Sequence, residues 1–400
     1  MYIRNKLTAQ LKDEGAVFTI IADETTDVSN HEMLALCLRF VSANNQNVEI
    51  KEIFFDFVHL NRTSGNKIAQ CIIDSLSRHG IDVNKCRGQG YDGAGAMSSA
   101  RVGVQARIKE VSPLALFVHC NSHVLNLSIA AACKIPSVRN MIVSLNEVYL
   151  FFHNSPKRQT YFELVIERLE IPSNVKKIKG LCKTRWIERH QCYETFYELY
   201  TTICRTFEGI LNLENAEALV DLPHGPWEWD RETRTKAQGL LHTTESSMFI
   251  VVFVTVKNCL EVIKPAAVKL QKREQDIYSA YQYIDNAKTT ISKYRKDIDD
   301  LFRTWFKDAE ALAALVGTEI TKPRITGRQT NRANATSDSA EEYFRRNMAI
   351  PFSDHLDTEM KTRFQSQDRV GVELFGLLPS SSKSISDIED FVKKTVVLER

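Results

Sequence analysis

Two aspartates stand beside predicted strands in the first quarter of the chain. Asp23 follows the apolar, β-branched run Ala16–Ala22 (AVFTIIA), and Asp92 follows a short strand predicted near Lys85–Tyr91. If the two strands are parallel neighbours, both carboxylates emerge at the carboxyl edge of the sheet, where α/β proteins place ligands. Such a pair suits Mg²⁺, which prefers hard oxygen ligands and keeps positions open for phosphate and water. A two-metal site, with ions about 3.5–4 Å apart, cleaves phosphodiesters.

Spacing alone favours a plainer interpretation, in which Asp23 starts a turn and Asp92 sits in a glycine turn. Gly88, Gly90 and Gly93 spell G-x-G-x-x-G, which in dinucleotide-binding folds cradles a pyrophosphate. That fingerprint belongs to the first strand of a βαβ unit, whereas three antiparallel-looking strands come first here, so we reject a dinucleotide site. The glycines instead predict a close approach of the backbone to a bound phosphate or to another strand.

The elements that must position these residues change character near Pro136. Before it, three apolar runs predict an antiparallel meander, and later segments alternate between helix and strand. The predicted order is βββαβαβα, with strands over 16–22, 33–41, 48–58, 85–91 and 114–119 and helices over 64–80, 94–111 and 121–134. Right-handed crossovers make the last two strands parallel, with helices on both faces of the sheet. We therefore predict an α/β domain over residues 1–135 and an all-helical domain over 136–400.

Composition limits the classes of function. The chain has 52 Lys and Arg against 50 Asp and Glu, a net charge of +2, so any basic surface must be local. Two basic segments are present, Lys176–Arg189 and Lys322–Arg332. The nine cysteines are scattered without a C-x-x-C pair, which predicts free thiols in a reducing compartment. The longest apolar run, Met248–Val256, is far shorter than the roughly 20 residues of a membrane span, and no secretion signal is recognisable.

Five motifs, in order along nearly the whole chain, resemble those of the hAT-superfamily transposases. They are FTIIADETTD (Phe18–Asp27), GQGYDGAGAM (Gly88–Met97), HCNSHVLNL (His119–Leu127), KTRW (Lys183–Trp186) and KPRITGRQTNRAN (Lys322–Asn334). The chain is most similar to the transposon-derived relatives called zinc finger MYM-type or THAP-type repressor-like proteins. The resemblance implies an RNase H-like core of βββαβαβα order, a mixed five-stranded sheet, interrupted by a large all-helical insertion and followed by a dimerisation segment.

The resemblance also implies roles for the two aspartates. Asp23 matches the first catalytic acid of the family and Asp92 the second, and both would hold Mg²⁺ or Mn²⁺. The family's third acid is a glutamate after the insertion, and neither Glu389 nor Glu399 lies in the expected motif. We therefore expect this chain to lack the third acid, the dimerisation segment and the amino-terminal zinc-binding DNA module of the family, which leaves its catalysis incomplete.

Cys120 and His123 form a C-x-x-H pair, which taken alone could be half of a zinc site. Cys182, His190 and Cys192 could complete it only by coincidence of the fold, so packing at the edge of the active site is favoured. The family motif at this place implies a local structural or DNA-end-positioning role for His123.

Trp186 lies within the basic segment Lys176–Arg189. An indole among cations can stack on an unpaired base, but a tryptophan equally well anchors a helix to a core. The family's R-W motif, matched by Arg185 and Trp186 with Lys183 beside them, favours DNA binding.

A second set of basic residues follows the helical region. Arg324, Arg328 and Arg332 could contact the DNA backbone or belong to a solvated linker. The sequence leaves both interpretations open.

These observations predict a hAT-type transposase-derived domain that binds transposon-end-like DNA and descends from an enzyme of metal-dependent DNA cleavage and strand transfer. We expect a nuclear protein that can form a homo-oligomer and has neither a membrane nor a small-molecule substrate as partner. The alternative is a domesticated, non-catalytic nuclear module for protein interaction or transcriptional repression. An RNase H-like nuclease unrelated to transposition is disfavoured by the helical insertion and the R-W motif. A third acid beside Asp23 and Asp92 would favour the enzyme.

Overall fold

The computed structural model describes residues 17–44, 47–170, 175, 177–180, 186–213, 219, 221–270, 277–324 and 337–364. The strands are β1 (Phe18–Thr26), β2 (Glu32–Asn44), β3 (Asn47–His59), β4 (Cys86–Tyr91) and β5 (Leu116–His119). The helices up to His153 are α1 (Gly65–Arg78), α2 (Gly95–Ser98), α3 (Val104–Val111), α4 (Asn121–Ala132) and α5 (Pro136–His153). A 3₁₀ turn, Val83–Lys85, precedes β4.

Beyond this point the described residues contain helices and connecting segments. The helices are α6 (Pro156–Arg168), α7 (Trp186–Glu198), α8 (Tyr200–Leu211), α9 (Arg231–Thr244), α10 (Ser247–Glu261), α11 (Lys264–Leu270), α12 (Ile277–Lys296) and α13 (Ile298–Ala314). They are followed by α14 (Ala340–Phe344), a π-helical turn (Arg345–Ala349) and α15 (Ile350–Arg363). No single helix of the described ranges has the length and hydropathy of a membrane span, although the bent pair α9 and α10 does when taken together.

The five strands form one mixed sheet in the order β3-β2-β1-β4-β5. β1 and β2 pair antiparallel, as do β2 and β3, whereas β4 is parallel both to β1 and to β5. The structure therefore confirms the fold class, an α/β core of βββαβαβα order together with many helices.

Buried and half-buried residues alternate along β1, so one face of the sheet is buried. Phe18, Ile20 and Ala22 of β1 are buried, and the residues between them are only half-buried. The apolar stripe of α1, which includes Ile68 and Ile72, is also fully buried in this core. Each such side chain contributes about 1.5–3 kcal/mol when it leaves water. Amphipathic patterning of strand and helix is therefore sufficient to build this layer.

The single helix predicted over 94–111 is wrong, because the chain turns between α2 and α3. The Ser99 hydroxyl accepts hydrogen bonds from the backbone N–H groups of Arg101 and Val102, at 3.4 and 3.3 Å, which holds a turn. At Gly103 a Cβ atom would lie 2.5 Å from the backbone nitrogen of Ser99, so the glycine permits the close return of the chain.

Packing divides the described residues into two compact units. The first contains the chain up to Val124 and a stretch between Lys269 and Tyr281, and the second contains Leu125–Val268 and Gln282–Phe364. The division of the sequence into domains of residues 1–135 and 136–400 stays a prediction.

The second unit, called the helical unit below, holds the buried carboxyl group of Glu208 close to the half-buried one of Glu245. Glu208 of α8 is 3% exposed and contacts the Arg205 guanidinium at 2.8 Å. Glu245 follows α9, and burial together with the Glu208 carboxylate raises its pKa to about 7, while Arg205 opposes the shift. The folded state therefore holds the proton of Glu245 more tightly than the unfolded chain, whose glutamates titrate near 4.5.

We expect Glu245→Gln to remove a pH dependence of stability. Because the pKa is raised on folding, the wild type loses stability as the pH rises from about 4.5 to about 7. Since Glu245 is partly exposed, solvent screening reduces the effect to about 1 kcal/mol. Urea unfolding at pH 5 and pH 8 should show a smaller difference for Glu245→Gln than for the wild type. Glu310→Gln on the exposed face of α13 is the matched control, and an unchanged difference in Glu245→Gln would contradict the assignment.

Candidate active site

The register between β1 and β4 places the two predicted acids side by side. Ile21 pairs with Gly90 across these parallel strands, and Asp23 and Asp92 each lie two positions further along their chains. Residues two apart along a strand share a face, so Asp23 lies on the face of Ile21, opposite the buried Ile20, and Asp92 directly follows the last residue of β4, Tyr91. The structure thus brings Asp23 and Asp92 together at the carboxyl edge, as the topology predicted.

One detail of the prediction is wrong, because Asp23 does not end its strand. β1 continues to Thr26, which pairs with Glu32 of β2, and Asp23 itself pairs with Ala35. The apolar run stops at Ala22 because the hairpin formed by β1 and β2 extends beyond the core, and its tip is exposed. Asp23 is therefore fixed by strand pairing on one side of the site.

Asp92 is fixed by the turn that follows β4. Its Oδ1 atom accepts a hydrogen bond from the backbone N–H of Ala94 at 3.0 Å. The Ser98 hydroxyl donates to the Gly93 carbonyl at 3.2 Å and so ties this turn to α2. The second carboxylate oxygen of Asp92 is the one that the turn leaves for another ligand.

A third acidic residue, Glu24, lies near the two aspartates although its place in the sequence does not indicate it. Burial raises its pKa, and the carboxylates of Asp92, Glu32 and Asp23 raise it further, in that order. Its Oε1 atom is buried and makes no hydrogen bond within the described part of the chain. The residue is adjacent to Asp23, but its proximity to Asp92 and Glu32 arises only from strand pairing, so spacing in the sequence did not indicate it.

The C-x-x-H pair lies at the same edge. The Cys120 backbone N–H donates to the Tyr91 carbonyl at 2.9 Å, which joins the ends of β5 and β4. A Cβ atom on Gly93 would lie 3.3 Å from Cδ2 and 3.4 Å from Nε2 of His123, and 3.8 Å from Nδ1 of His119. His123 therefore packs against the turn that holds Asp92, beside the two aspartates.

The two aspartates also affect the pKa of the Cys120 thiol. Although the residue is exposed as a whole, desolvation of its sulfur raises the pKa of the thiol, and the Asp23 and Asp92 carboxylates raise it further. A thiol of raised pKa stays protonated at neutral pH, so a metal bound here would have to displace the thiol proton. Among the described residues no group of three or more His, Cys, Asp and Glu side chains is arranged to hold a metal ion. The two aspartates fit part of an Mg²⁺ or Mn²⁺ ligand set, in which carboxylate oxygens are the preferred donors.

One glycine of β4 allows this strand to lie close to a side chain of β1. A Cβ atom on Gly88 would lie 2.5 Å from Oγ1 of Thr19 on β1, so glycine permits this close approach. On Gly90 the nearest contact would be an ordinary 3.8 Å. The approach to another strand, one of the two predicted roles, therefore applies at Gly88.

The predicted basic residues are only partly within the described ranges. Lys183, Arg185, Arg328 and Arg332 lie outside them. Trp186 begins α7, and Arg324 is exposed in the second unit. The structure thus brings together Asp23, Asp92 and His123, and the roles of the six basic and aromatic residues stay predictions.

Comparisons with known proteins agree with this architecture. Residues 1–103 match the family model described as "DUF4371: ZMYM1/FAM200, RNase-like domain". Over 381 residues, 94% of the chain, the sequence is 24% identical to a human protein named "52 kDa repressor of the inhibitor of the protein kinase". A mouse protein of the same name is also 24% identical, over 382 residues. The chain spans about half the length of these relatives, 48% of each.

Proposed function

We propose that this chain is a hAT-type, transposase-derived domain that binds DNA, and that Asp23 and Asp92 hold Mg²⁺ or Mn²⁺ at the site of an ancestral DNA cleavage and strand-transfer reaction. The observation that carries the proposal is the register of β1 and β4, which puts Asp23 of β1 level with Asp92, the residue that directly follows β4. The RNase-like family match to residues 1–103 supports it. A nuclear location follows from the DNA partner and belongs to the same proposal.

The proposed metal binding depends on the carboxylates of Asp23 and Asp92 and on the contacts that position them. Asp23 is positioned by pairing with β2, and Asp92 by the N–H of Ala94. The carboxylates of Asp92, Glu32 and Asp23 all raise the pKa of the Glu24 carboxyl, which supports an accumulation of negative charge at this edge. Asp23 and Asp92 would hold a divalent cation there, which would relieve that repulsion and supply positive charge to stabilise an attacked phosphate. His123 supports the Asp92 turn through its contact with Gly93, so we assign it a positioning role.

A second candidate function is a non-catalytic module for nuclear protein interaction or repression. Two relatives are named as repressors, and the described residues offer two aspartates without a complete group of three metal ligands. Such a module keeps the fold and a basic surface without metal chemistry, since fold alone does not fix function.

DNA binding is tested with variants of the R-W motif. We expect Lys183→Ala with Arg185→Ala to weaken binding of a labelled hairpin-ended duplex by roughly ten-fold, because two phosphate contacts are lost, and to reduce its salt dependence. Trp186→Ala should cost about 1–3 kcal/mol if the indole stacks on a base. Fluorescence anisotropy at two salt concentrations measures both effects.

The matched control for the basic residues is Lys296→Ala with Lys307→Ala, two exposed lysines of the helical unit. The same loss in this control would indicate non-specific electrostatics. No saturable binding by the wild type would contradict a DNA-binding function altogether.

A further inference from the structure

An open groove runs along one side of α9 in the helical unit. Its volume is about 720 Å³, and the end of α8 and Trp229 form the rest of its wall. The residues that α9 contributes recur every three or four positions from Arg231 to Glu245, as one face of a helix does. At about 1.5 Å of rise per residue, this face is about 21 Å long. The groove therefore has the length of about six residues of extended peptide.

The groove carries positive charge. Arg231, Arg234 and His242 line it, and all three residues are exposed. The one carboxyl group among its described lining residues belongs to Glu245, and burial together with the Glu208 carboxylate raises the pKa of that group to about 7. Glu245 therefore contributes only part of a negative charge near neutral pH. The groove thus favours a negatively charged partner.

The acidic residues beside Arg231 in the sequence lie outside the groove wall. The Asp230 carboxylate accepts hydrogen bonds from the backbone N–H and the hydroxyl of Thr233, at 2.8 and 2.9 Å. The Glu232 carboxylate contacts the Lys236 ammonium group at 2.6 Å. Both carboxylates have partners on their own helix, and the Arg231 side chain makes no hydrogen bond or ion pair within the described part of the chain.

The other donors of the groove are also available to a partner. The Nη2 atom of Arg234 donates to the Leu211 carbonyl at 3.1 Å, which holds this guanidinium group at the end of α8 and leaves its other N–H groups to donate. Gln238 and His242, one turn apart on α9, are exposed and make no side-chain hydrogen bond with the described residues. A guanidinium group binds a carboxylate through two parallel hydrogen bonds, so two arginines in one groove suit a partner with several carboxylates.

Apolar side chains distinguish this groove from a DNA-backbone surface. Leu213, which follows α8, is 44% exposed, and it lines the groove together with the half-buried Leu211 and Trp229. A surface that binds DNA non-specifically places cations against phosphates, and exposed leucines or a carboxyl group add nothing to that contact. A peptide that carries both carboxylates and apolar side chains matches the whole wall.

We propose that this groove binds an acidic peptide segment of a partner protein. Carboxylates of the peptide contact Arg231 and Arg234, and an apolar side chain between them packs on Leu213 and Trp229. Segments that alternate acidic and apolar residues are a known class of interaction sequence. The groove contains neither the two aspartates nor the R-W motif, so this interaction goes beyond the proposed metal and DNA binding.

Fluorescence anisotropy with a labelled peptide that alternates glutamate and leucine tests the proposal on the full chain. We expect saturable binding, and at least roughly ten-fold weaker binding of a peptide with glutamine in place of glutamate, because the charge-assisted hydrogen bonds are lost. Arg231→Gln with Arg234→Gln should weaken binding of the acidic peptide by a similar factor. Arg139→Gln with Arg303→Gln, two exposed arginines outside the groove wall, is the matched control and should bind as the wild type does.

Two single variants separate the charged from the apolar contacts. Arg231→Gln alone removes no hydrogen bond within the described chain and should weaken binding roughly three-fold. Leu213→Ser should have a similar effect on the glutamate–leucine peptide and none on a peptide with serine in place of leucine. Thermal unfolding checks that each variant is folded.

Competition with an unlabelled DNA duplex decides between the two kinds of polyanion. Retention of the peptide in the presence of the duplex supports the proposal. Displacement by the duplex, equal binding of the acidic and neutral peptides, full binding by the double arginine variant, or no saturable binding at millimolar peptide would overturn it. Asp23→Asn and Lys183→Ala should bind the peptide normally, so a failure here is distinguishable from a failure of the proposed metal or DNA binding.

Discussion

Asp23→Asn and Asp92→Asn should each weaken Mn²⁺ binding by roughly 100-fold or more. Each substitution keeps the shape of the side chain but removes one of the two anionic groups that meet at the carboxyl edge of β1 and β4. Loss of a partner that only orients a ligand already costs about 10–100-fold in metal affinity, so loss of a ligand charge costs at least as much. Isothermal titration of Mn²⁺ in the presence of hairpin-ended DNA measures the effect.

Two further variants test whether the loss of Mn²⁺ binding is specific to Asp23 and Asp92. Asp74→Asn, an exposed aspartate on α1, is the matched control and should bind Mn²⁺ as the wild type does. Glu24→Gln should have a smaller effect than either aspartate substitution, because Glu24 contributes through its charge near Asp92 and Asp23. Undiminished binding in Asp23→Asn and Asp92→Asn would contradict the paired-carboxylate site. A wild type that binds DNA but no metal would leave the non-catalytic module as the function.

The sequence contained most of the information needed for the sheet. The run Ala16–Ala22 and its successors alternate or stay apolar over strand lengths, and the crossover rules then fix β4 and β5 as parallel. The proximity of Asp23 and Asp92 follows from that topology, because both lie at the carboxyl edge of adjacent strands. These predictions depend only on the spacing of apolar residues, which a single sequence displays, and on the general rule that crossovers are right-handed.

The remaining features depend on contacts between distant residues. The helical spacing of Met97, Val104 and Ile108 continues across 94–111, while the break depends on how closely Gly103 approaches Ser99. Glu24 comes close to Asp92 and Glu32 only when β1 pairs with its neighbouring strands. Likewise, the groove beside α9 exists only where the end of α8 lies against that helix. Tertiary proximity of this kind is what one sequence without homologues does not reveal.

Gly103→Ala is expected to destabilise the first unit by about 3 kcal/mol. A Cβ atom at this position would lie 2.5 Å from the nitrogen and 2.6 Å from the oxygen of Ser99, and 2.8 Å from the Met97 carbonyl oxygen. All three are backbone atoms, so the turn must move to accept the methyl group, and overpacking of this kind costs about 1–3 kcal/mol or more. Gly65 also packs closely against this turn, because a Cβ atom on Gly65 would lie 2.4 Å from the Val102 carbonyl oxygen. The turn therefore has no room to relax in that direction.

The matched control is Gly95→Ala, where a Cβ atom would meet no atom within 4 Å. Because Gly95 begins α2, the alanine should change stability by no more than about 0.5 kcal/mol or even stabilise the helix slightly. Urea unfolding of both variants separates steric strain from a general intolerance of glycine substitution. Equal stabilities would show that the turn is free to shift, and the Asp92 loop, which Ser98 ties to α2, would then be less rigidly held than its hydrogen bonds indicate.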